Sequence, residues 1–226
     1  MARPAGASAA RFRHRERAAG LVLLPFLCTL SFYLLPPPIQ DSVLVQFLPQ
    51  AVAYLGLIAW GILNGQVIQR LGLGIDRLGV GLAWGAIVGL ILGAINMLVI
   101  LKATPWLGYD ITFLTETPHA RLPFWLMIPW FVCLIAVFVE LNFRGFILGR
   151  LLALSIPAPL AIFLDAILFS FDPFMVTTFR HLHWIAVWDG IVWSMMWMRL
   201  ASLHAVIVAH AVEVMIMYCV VRAALS

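Results

Sequence analysis

Long apolar runs, separated by short polar or proline-containing stretches, occupy most of this chain. A helix needs about 20 consecutive apolar residues to cross a bilayer. Seven runs approach or exceed that length: 19–36, 43–68, 79–102, 123–148, 157–172, 183–199 and 201–224. The pattern predicts an all-α fold, a polytopic transmembrane helix bundle of about seven spans, with six and eight as alternatives. The run at 157–172 is short for a crossing, which predicts a tilted helix or an irregular stretch after it.

The composition favours an integral membrane protein over a soluble one. Charged residues make up 11% of the 226 residues, whereas soluble domains contain about 25%. The formal net charge is +4, but the basic residues are dispersed except in the tail at 1–17, so nucleic acid is not predicted as a partner. A basic tail beside the first apolar run indicates a cytoplasmic N-terminus that touches anionic membrane lipid.

These features divide the chain into three parts. We predict a basic cytoplasmic tail at 1–18, an N-terminal transmembrane packing half with one outer loop at 19–122, and a C-terminal transmembrane half at 123–226 that holds a polar site. In the third run, glycines recur at every fourth position, at Gly81, Gly85, Gly89 and Gly93. Such a stripe of small residues lets another helix approach closely. We predict that it packs against a helix of the same chain rather than a second copy.

Ionisable residues indicate where the polar site lies. A charged side chain near the middle of a bilayer costs about 3 kcal/mol or more, and the first three runs contain no acid. Glu140 and Arg144 lie within the run 123–148. Since they are four residues apart, they share a face of a helix and can neutralise each other.

Further candidates follow in the later runs. His210 and Glu213 are three apart and share a helix face, as Asp165 and Asp172 do at a spacing of seven. A histidine with two or three carboxylates can activate water or hold a divalent cation. Two interpretations stay open: a hydrolytic site, with a divalent metal as its candidate cofactor, or a structural network in which these charged groups neutralise one another.

Two stretches of the second half resemble a known family. The sequences ELNFRGF at 140–146 and SLHAVIVAHA at 202–211 are similar to motifs of the CPBP family, the CAAX-protease and bacteriocin-processing membrane proteins. The signature of that family is Glu-Glu-x-x-x-Arg on one helix, Phe-x-x-x-His on a second and His-x-x-x-Asn on a third. The resemblance covers about residues 123–220. It implies an intramembrane endopeptidase in a bacterial inner membrane, acting on a membrane-bound peptide or protein.

The site residues of the family carry over in part. The second Glu of the first motif matches Glu140, its Arg matches Arg144, and the His of the third motif matches His210. In the family, the first Glu and the two histidines position or activate the attacking water, while the second Glu and the Arg support the site. The resemblance therefore implies a catalytic centre around these three residues.

Three signature positions carry a different residue in this chain. Val139 stands at the first Glu, Pro173 at the second-motif His and Val214 at the third-motif Asn. Neither valine nor proline accepts a proton, so a hydrolase of this type needs other groups to activate water.

Candidate replacements lie close to the missing groups. Asp172 directly precedes Pro173, and Glu213 directly precedes Val214. Phe179 and His183 have the Phe-x-x-x-His spacing of the second motif at a later place in the chain. We predict a CPBP-type intramembrane protease-like protein. Its candidate site comprises Glu140, Arg144 and His210, completed by Asp172, His183 or Glu213.

Two other functions fit the same residues. One is a catalytically inactive CPBP-like scaffold, a binding or assembly subunit of a membrane complex. The Glu–Arg pair that this chain retains is expected to support the structure of the site, whereas the residues that it lacks are those expected to take part in the reaction. The other is a small transporter or proton-linked channel that uses the carboxylates as a relay. No internal repeat in the sequence supports the transporter.

Overall fold

The computed structural model describes residues 16–117 and 119–225. Within these ranges the chain consists of helices joined by turns and short irregular stretches, without any strand, which confirms the predicted all-α class. The predicted basic tail at 1–18 lies almost wholly outside the described residues.

The main helices follow one another closely along the described chain. They are α1 (Leu23–Phe32), α2 (Leu48–Leu63), α3 (Leu78–Trp106), α4 (Phe124–Ala153), α5 (Ala158–Ser170), α6 (Pro173–Phe179), α7 (Ile185–Leu200) and α8 (Leu203–Leu225). Short helical turns lie between them at Ala19–Val22, Pro37–Gln40, Val43–Gln46, Val67–Leu71, Ile75–Arg77, Thr112–Glu116 and Arg180–Leu182. Wider π-helical turns occur in α3 at Val99–Ala103 and in α4 at Trp130–Ala136 and Leu141–Leu148.

Fewer helices than predicted are long enough to cross a membrane. Among the described residues, α3, α4 and α8 meet the requirements of length and composition, and α5 with α6 makes a fourth if the pair is one span. The prediction of about seven spans is therefore too high. The runs at 19–36, 43–68 and 183–199 form helices of only 10, 16 and 16 residues. Sixteen residues rise about 24 Å, whereas the hydrocarbon core of a bilayer is about 30 Å thick.

A bend of 55° separates α5 from α6. Proline fits the first turn of a helix but cannot continue a preceding one, and α6 begins at Pro173. Asp172 caps α6 by accepting a hydrogen bond from the backbone N–H of Phe174 at 3.1 Å. The run 157–172 thus ends in a break at Phe171 and Asp172, and a helix rather than an irregular stretch follows it.

The described chain forms two compact units. Unit 1 comprises 16–75 and Leu141–Leu203, and unit 2 comprises Asp76–Glu140 and 204–225. In unit 1, α1 packs on α2, α5 packs along α7, and the last π-helical turns of α4 contact α2, α5 and α7. Close packing in this unit places the charged residues of α4 and α5 in a fully buried core, described below.

The predicted glycine stripe joins α3 to α8 in unit 2. A Cβ atom built on Gly89 would lie 2.6 Å from the carbonyl oxygen of Ala209, and one on Gly85 would clash with the carbonyl oxygen of Ala205. Gly93 faces the same helix one turn further along. Because Gly85 and Gly89 have no side chains, the backbone of α3 lies directly against the backbone of α8 at Ala205 and Ala209. The prediction that the stripe packs within the chain is confirmed.

Candidate functional site

A buried carboxylate–imidazole pair lies in unit 2. In this pair, Nδ1 of His210 on α8 lies 2.7 Å from Oε1 of Glu140 on α4, and the two side chains are 6% and 0% exposed. Since an ionised carboxylate only accepts hydrogen bonds, Nδ1 carries the proton. In the neutral imidazole, Nε2 then holds the lone pair and is the basic nitrogen.

A second carboxylate lies one turn further along α8. Asn96 on α3 donates a hydrogen bond from Nδ2 to Oε1 of Glu213 at 2.9 Å, and both side chains are buried. The side chains of Glu213 and His210 are three residues apart on α8 and close enough to interact electrostatically. Glu140, His210, Glu213 and Asn96, which we call the polar cluster, therefore bring two acids, one imidazole and one amide together within unit 2.

Asn96 is the member of this cluster that was not among the predicted site residues. It follows Gly93 by three positions, so it lies on the face of α3 that carries the glycine stripe. A polar residue on a face that is otherwise built for close helix contact must find a buried partner. That spacing is the signal in the sequence that identifies it.

Arg144, a predicted site residue, lies in the core of unit 1. Its Nε atom is 3.4 Å from Oδ2 of Asp165, and both side chains are fully buried. The same Asp165 oxygen accepts a hydrogen bond from the hydroxyl of Ser194 at 2.8 Å. The guanidinium also lies over the rings of Phe169 and Trp193, at 4.7 and 5.2 Å from their centroids. The sequence predicted Glu140 as a partner of this arginine, which stays a prediction, and it did not indicate Asp165 as one.

Asp172 and His183 also belong to unit 1, where their described contacts hold the bend between α5 and α6. Besides capping α6, Asp172 accepts a hydrogen bond from Nε2 of Gln50 at 2.9 Å. The backbone carbonyl oxygen of His183 accepts a hydrogen bond from the hydroxyl of Ser170 at 2.7 Å. The imidazole ring of His183 packs edge-on against the ring of Phe171. These contacts are of a structural kind.

The arrangement of the described side chains favours acid–base chemistry. Within residues 16–117 and 119–225, no group of three or more histidine, cysteine, aspartate or glutamate side chains is placed to hold a metal ion. The polar cluster instead pairs one imidazole with one carboxylate and holds the other carboxylate by an amide.

The loop between α3 and α4 contacts the helices of unit 2 through His119. Nε1 of Trp130 donates a hydrogen bond to Nδ1 of His119 at 3.1 Å, and the imidazole packs against the rings of Phe131 and Tyr218. Burial lowers the pKa of His119 below its usual 6.5. Because Nδ1 accepts this hydrogen bond, only an imidazole unprotonated at Nδ1 can make it.

We expect acidification to loosen this loop. Since the pKa of His119 is lower in the folded than in the unfolded state, the unfolded chain binds more protons, and stability falls as pH drops below 6.5 towards the folded-state pKa. The unfolding temperature, followed between about pH 8 and pH 5, should fall further in the wild type than in His119→Phe, which keeps an aromatic ring but does not titrate. Equal losses in the two proteins would show that His119 is not responsible.

No protein-family model matches the chain, and no curated protein or solved structure matches it. None of these comparisons identifies the CPBP family, so the assignment stays a prediction from the motifs at 140–146 and 202–211.

Proposed function

We propose that this chain is a CPBP-type intramembrane hydrolase that cleaves a membrane-bound peptide or protein, with His210 as the general base. The observation that carries the proposal is the 2.7 Å contact between Nδ1 of His210 and the carboxylate of Glu140. A carboxylate at Nδ1 fixes the tautomer of the imidazole and stabilises the imidazolium that forms when Nε2 takes up a proton. Glu140 is then a positioning residue and His210 the catalytic one.

The reaction is the hydrolysis of an amide bond. Nε2 of His210 takes a proton from a water molecule while the water oxygen bonds to the carbonyl carbon of the substrate. The carbon–nitrogen bond then breaks, and the imidazolium returns the proton to the leaving amine. Glu213, held by Asn96, places a second carboxyl group one turn from His210 on α8.

The polar cluster contains groups that can replace two signature residues of the family, the first-motif Glu and the third-motif Asn, which this chain lacks. Val139 cannot act in place of the first Glu, but Glu140 itself contacts the imidazole. Val214 cannot act in place of the third-motif Asn, but Asn96 brings an amide to the cluster from another helix. We infer that the cluster is a rearranged form of the family site rather than a copy of it.

The proposed location is a bacterial inner membrane, with the N-terminus in the cytoplasm. Support comes from the basic residues at 1–17 beside the first apolar run. A reporter fused to the N-terminus that is active only in the cytoplasm tests this orientation, and an inactive but folded reporter would contradict it.

We expect Glu140→Gln to reduce cleavage by on the order of 100-fold or more, because the neutral amide does not stabilise the imidazolium. The measurement compares new peptide N-termini, identified by mass spectrometry, in membranes of cells that produce the wild type, Glu140→Gln or His210→Gln. Glu116→Gln is the matched control, since Glu116 is an exposed acid of the same unit. It should leave the pattern of N-termini unchanged.

Unfolding temperatures of the purified variants, followed by tryptophan fluorescence, separate a loss of chemistry from a loss of fold. The proposal predicts that Glu140→Gln remains folded and loses the wild-type N-termini. If the wild type produces no N-termini beyond those of His210→Gln, the hydrolase proposal is wrong.

The inactive scaffold is the second candidate function, and the burial of the cluster favours it. Glu140 is 0% exposed, which is typical of a structural network closed to water. In that case Glu140→Gln should lower the unfolding temperature while the N-termini of membrane peptides stay the same. The same two measurements therefore discriminate the two functions.

A further inference from the structure

A second cluster of charged side chains lies in unit 1. The carboxylate of Glu16 lies between two arginines, with Oε1 at 2.9 Å from Nη1 of Arg70 and Oε2 at 2.7 Å from Nε of Arg150. Trp60 donates a hydrogen bond from Nε1 to Oε2 at 3.1 Å. The guanidinium of Arg150 also lies over the indole ring, 3.7 Å from its centroid.

Positive charge is in excess in this cluster. Two guanidinium groups face one carboxylate, so one positive charge remains when Glu16 is in place and two remain when it is not. The side chain of Arg150 is 0% exposed, whereas that of Arg70 is 25% exposed. Arg70 is therefore the arginine of this cluster that solvent can reach, whereas Arg150 lies behind the surface of unit 1.

The carboxylate of Glu16 does not accept a hydrogen bond from every N–H group that surrounds it. Both of its oxygens accept hydrogen bonds from the arginines and the tryptophan, yet Nη1 of Arg150 is buried and makes no hydrogen bond within the described part of the chain. A buried donor of this kind is costly and calls for an acceptor. A carboxylate has two oxygens to offer, whereas a phosphate group has three or four.

We propose that Arg70 and Arg150 form an anion-binding site for a phosphate group, in which the carboxylate of Glu16 is the resident ligand of the protein itself. The planar fork of arginine matches the oxygens of phosphate and of carboxylate alike. A phosphate that replaces Glu16 supplies an acceptor for Nη1 of Arg150. Inorganic phosphate can carry two negative charges and then also neutralises both arginines, whereas the phosphodiester of a phospholipid carries one, as Glu16 does.

The position of the site in the sequence favours phosphate at the membrane surface. Arg150 lies in the last turn of α4, which is long enough to cross a membrane, and Arg70 lies in the short helix Val67–Leu71. Phosphate groups of lipids lie at the depth where transmembrane helices end. The phosphate comes either from an anionic phospholipid or from solution, and the experiment below separates these two sources.

The test uses the full chain with Glu16→Gln, which keeps the size of the side chain and removes its charge. In neutral detergent we expect the unfolding temperature to fall by on the order of 5–10 °C, because the buried Arg150 and the half-buried Arg70 lose their counterion. Inorganic phosphate, or nanodiscs that contain phosphatidylglycerol, should restore most of this loss. Sodium chloride at equal ionic strength and nanodiscs of phosphatidylcholine should not.

Two further variants identify the site of the rescue. Adding Arg70→Gln to Glu16→Gln should abolish it, whereas adding Arg199→Gln, which changes an exposed arginine of the same unit, should leave it intact. If Glu16→Gln does not fold, Glu16→Asp retracts the carboxylate by one methylene, and phosphate should stabilise that variant more than the wild type.

The outcomes are distinct. Rescue by inorganic phosphate and by the anionic lipid supports a site open to either source, and rescue by the lipid alone supports a headgroup site. If neither restores the unfolding temperature, or if Arg70→Gln does not alter the rescue, the cluster is a structural ion-pair network and the proposal is overturned.

Discussion

Replacing Gly89 by alanine is expected to destabilise the protein by about 2–3 kcal/mol, because the added methyl group has no room between α3 and α8. A Cβ atom at this position would lie 2.6 Å from the carbonyl oxygen of Ala209 and 2.9 Å from Cβ of Val212. Neither atom can rotate away, since one belongs to the backbone and the other is attached directly to it. Relief therefore requires the two helices to move apart.

Gly79→Ala is the matched control on the same helix. No atom lies within 4 Å of the position that its Cβ would take, and glycine to alanine in an open helical position gains up to about 1 kcal/mol. The two substitutions should therefore change the free energy of unfolding in opposite directions. The unfolding temperature in detergent, followed by tryptophan fluorescence, measures both. Equal stability of the two variants would mean that α3 and α8 are not in backbone contact.

The same substitution also tests how packing supports the polar cluster. Asn96 lies on α3 and Glu213 on α8, so their 2.9 Å hydrogen bond spans the helix pair that Gly89 holds together. Moving the helices apart should lengthen this bond. Under the proposed function, Gly89→Ala is expected to reduce cleavage as well as stability, whereas Gly79→Ala should affect neither in that direction.

The glycine stripe could be predicted from the sequence because it is a local pattern with a single structural use. Four glycines at a spacing of four residues lie on one face of a helix, and a face without side chains is favoured only where another backbone covers it. The partner helix was not predictable in the same way. Ala205 and Ala209 form a shorter stripe of small residues, which becomes informative only after the glycines of α3 are paired with it.

The count of membrane spans failed for a different physical reason. Hydropathy reports that a stretch is apolar, but it does not report where the helix within it stops. In the run 43–68, α2 begins at Leu48, next to Pro49. It ends at Leu63, because the backbone of Asn64 is extended. These interruptions shorten the helix below the length of a crossing.

The contact of Arg144 with Asp165 could not be predicted from helical spacing, because that spacing relates only residues of one helix. Arg144 lies in the π-helical turns Leu141–Leu148 of α4, and Asp165 lies on α5. Asp165 becomes the partner through the packing of α5 on these turns, which is a tertiary contact.

Asp165→Asn is expected to have the largest effect among single substitutions in unit 1, about 3–5 kcal/mol, because it removes the carboxylate of a fully buried ion pair with Arg144. The amide of asparagine still accepts the hydrogen bond of Ser194, so the loss reports mainly on charge. Asp41→Asn, at an exposed acid of the same unit, should change stability by no more than about 0.5 kcal/mol. Thermal unfolding of the purified variants provides the comparison.

Adding Arg144→Met to Asp165→Asn decides whether the pair is structural. The double variant removes both charges of this buried pair, so it should be more stable than Asp165→Asn alone, even though methionine gives up the cation–π contacts with Phe169 and Trp193. Additive losses would mean that the two side chains act independently. A double variant that folds and retains cleavage would make Arg144 a structural anchor of α4. One that folds without cleavage would mean that the buried Arg144–Asp165 pair is needed for chemistry as well as for folding.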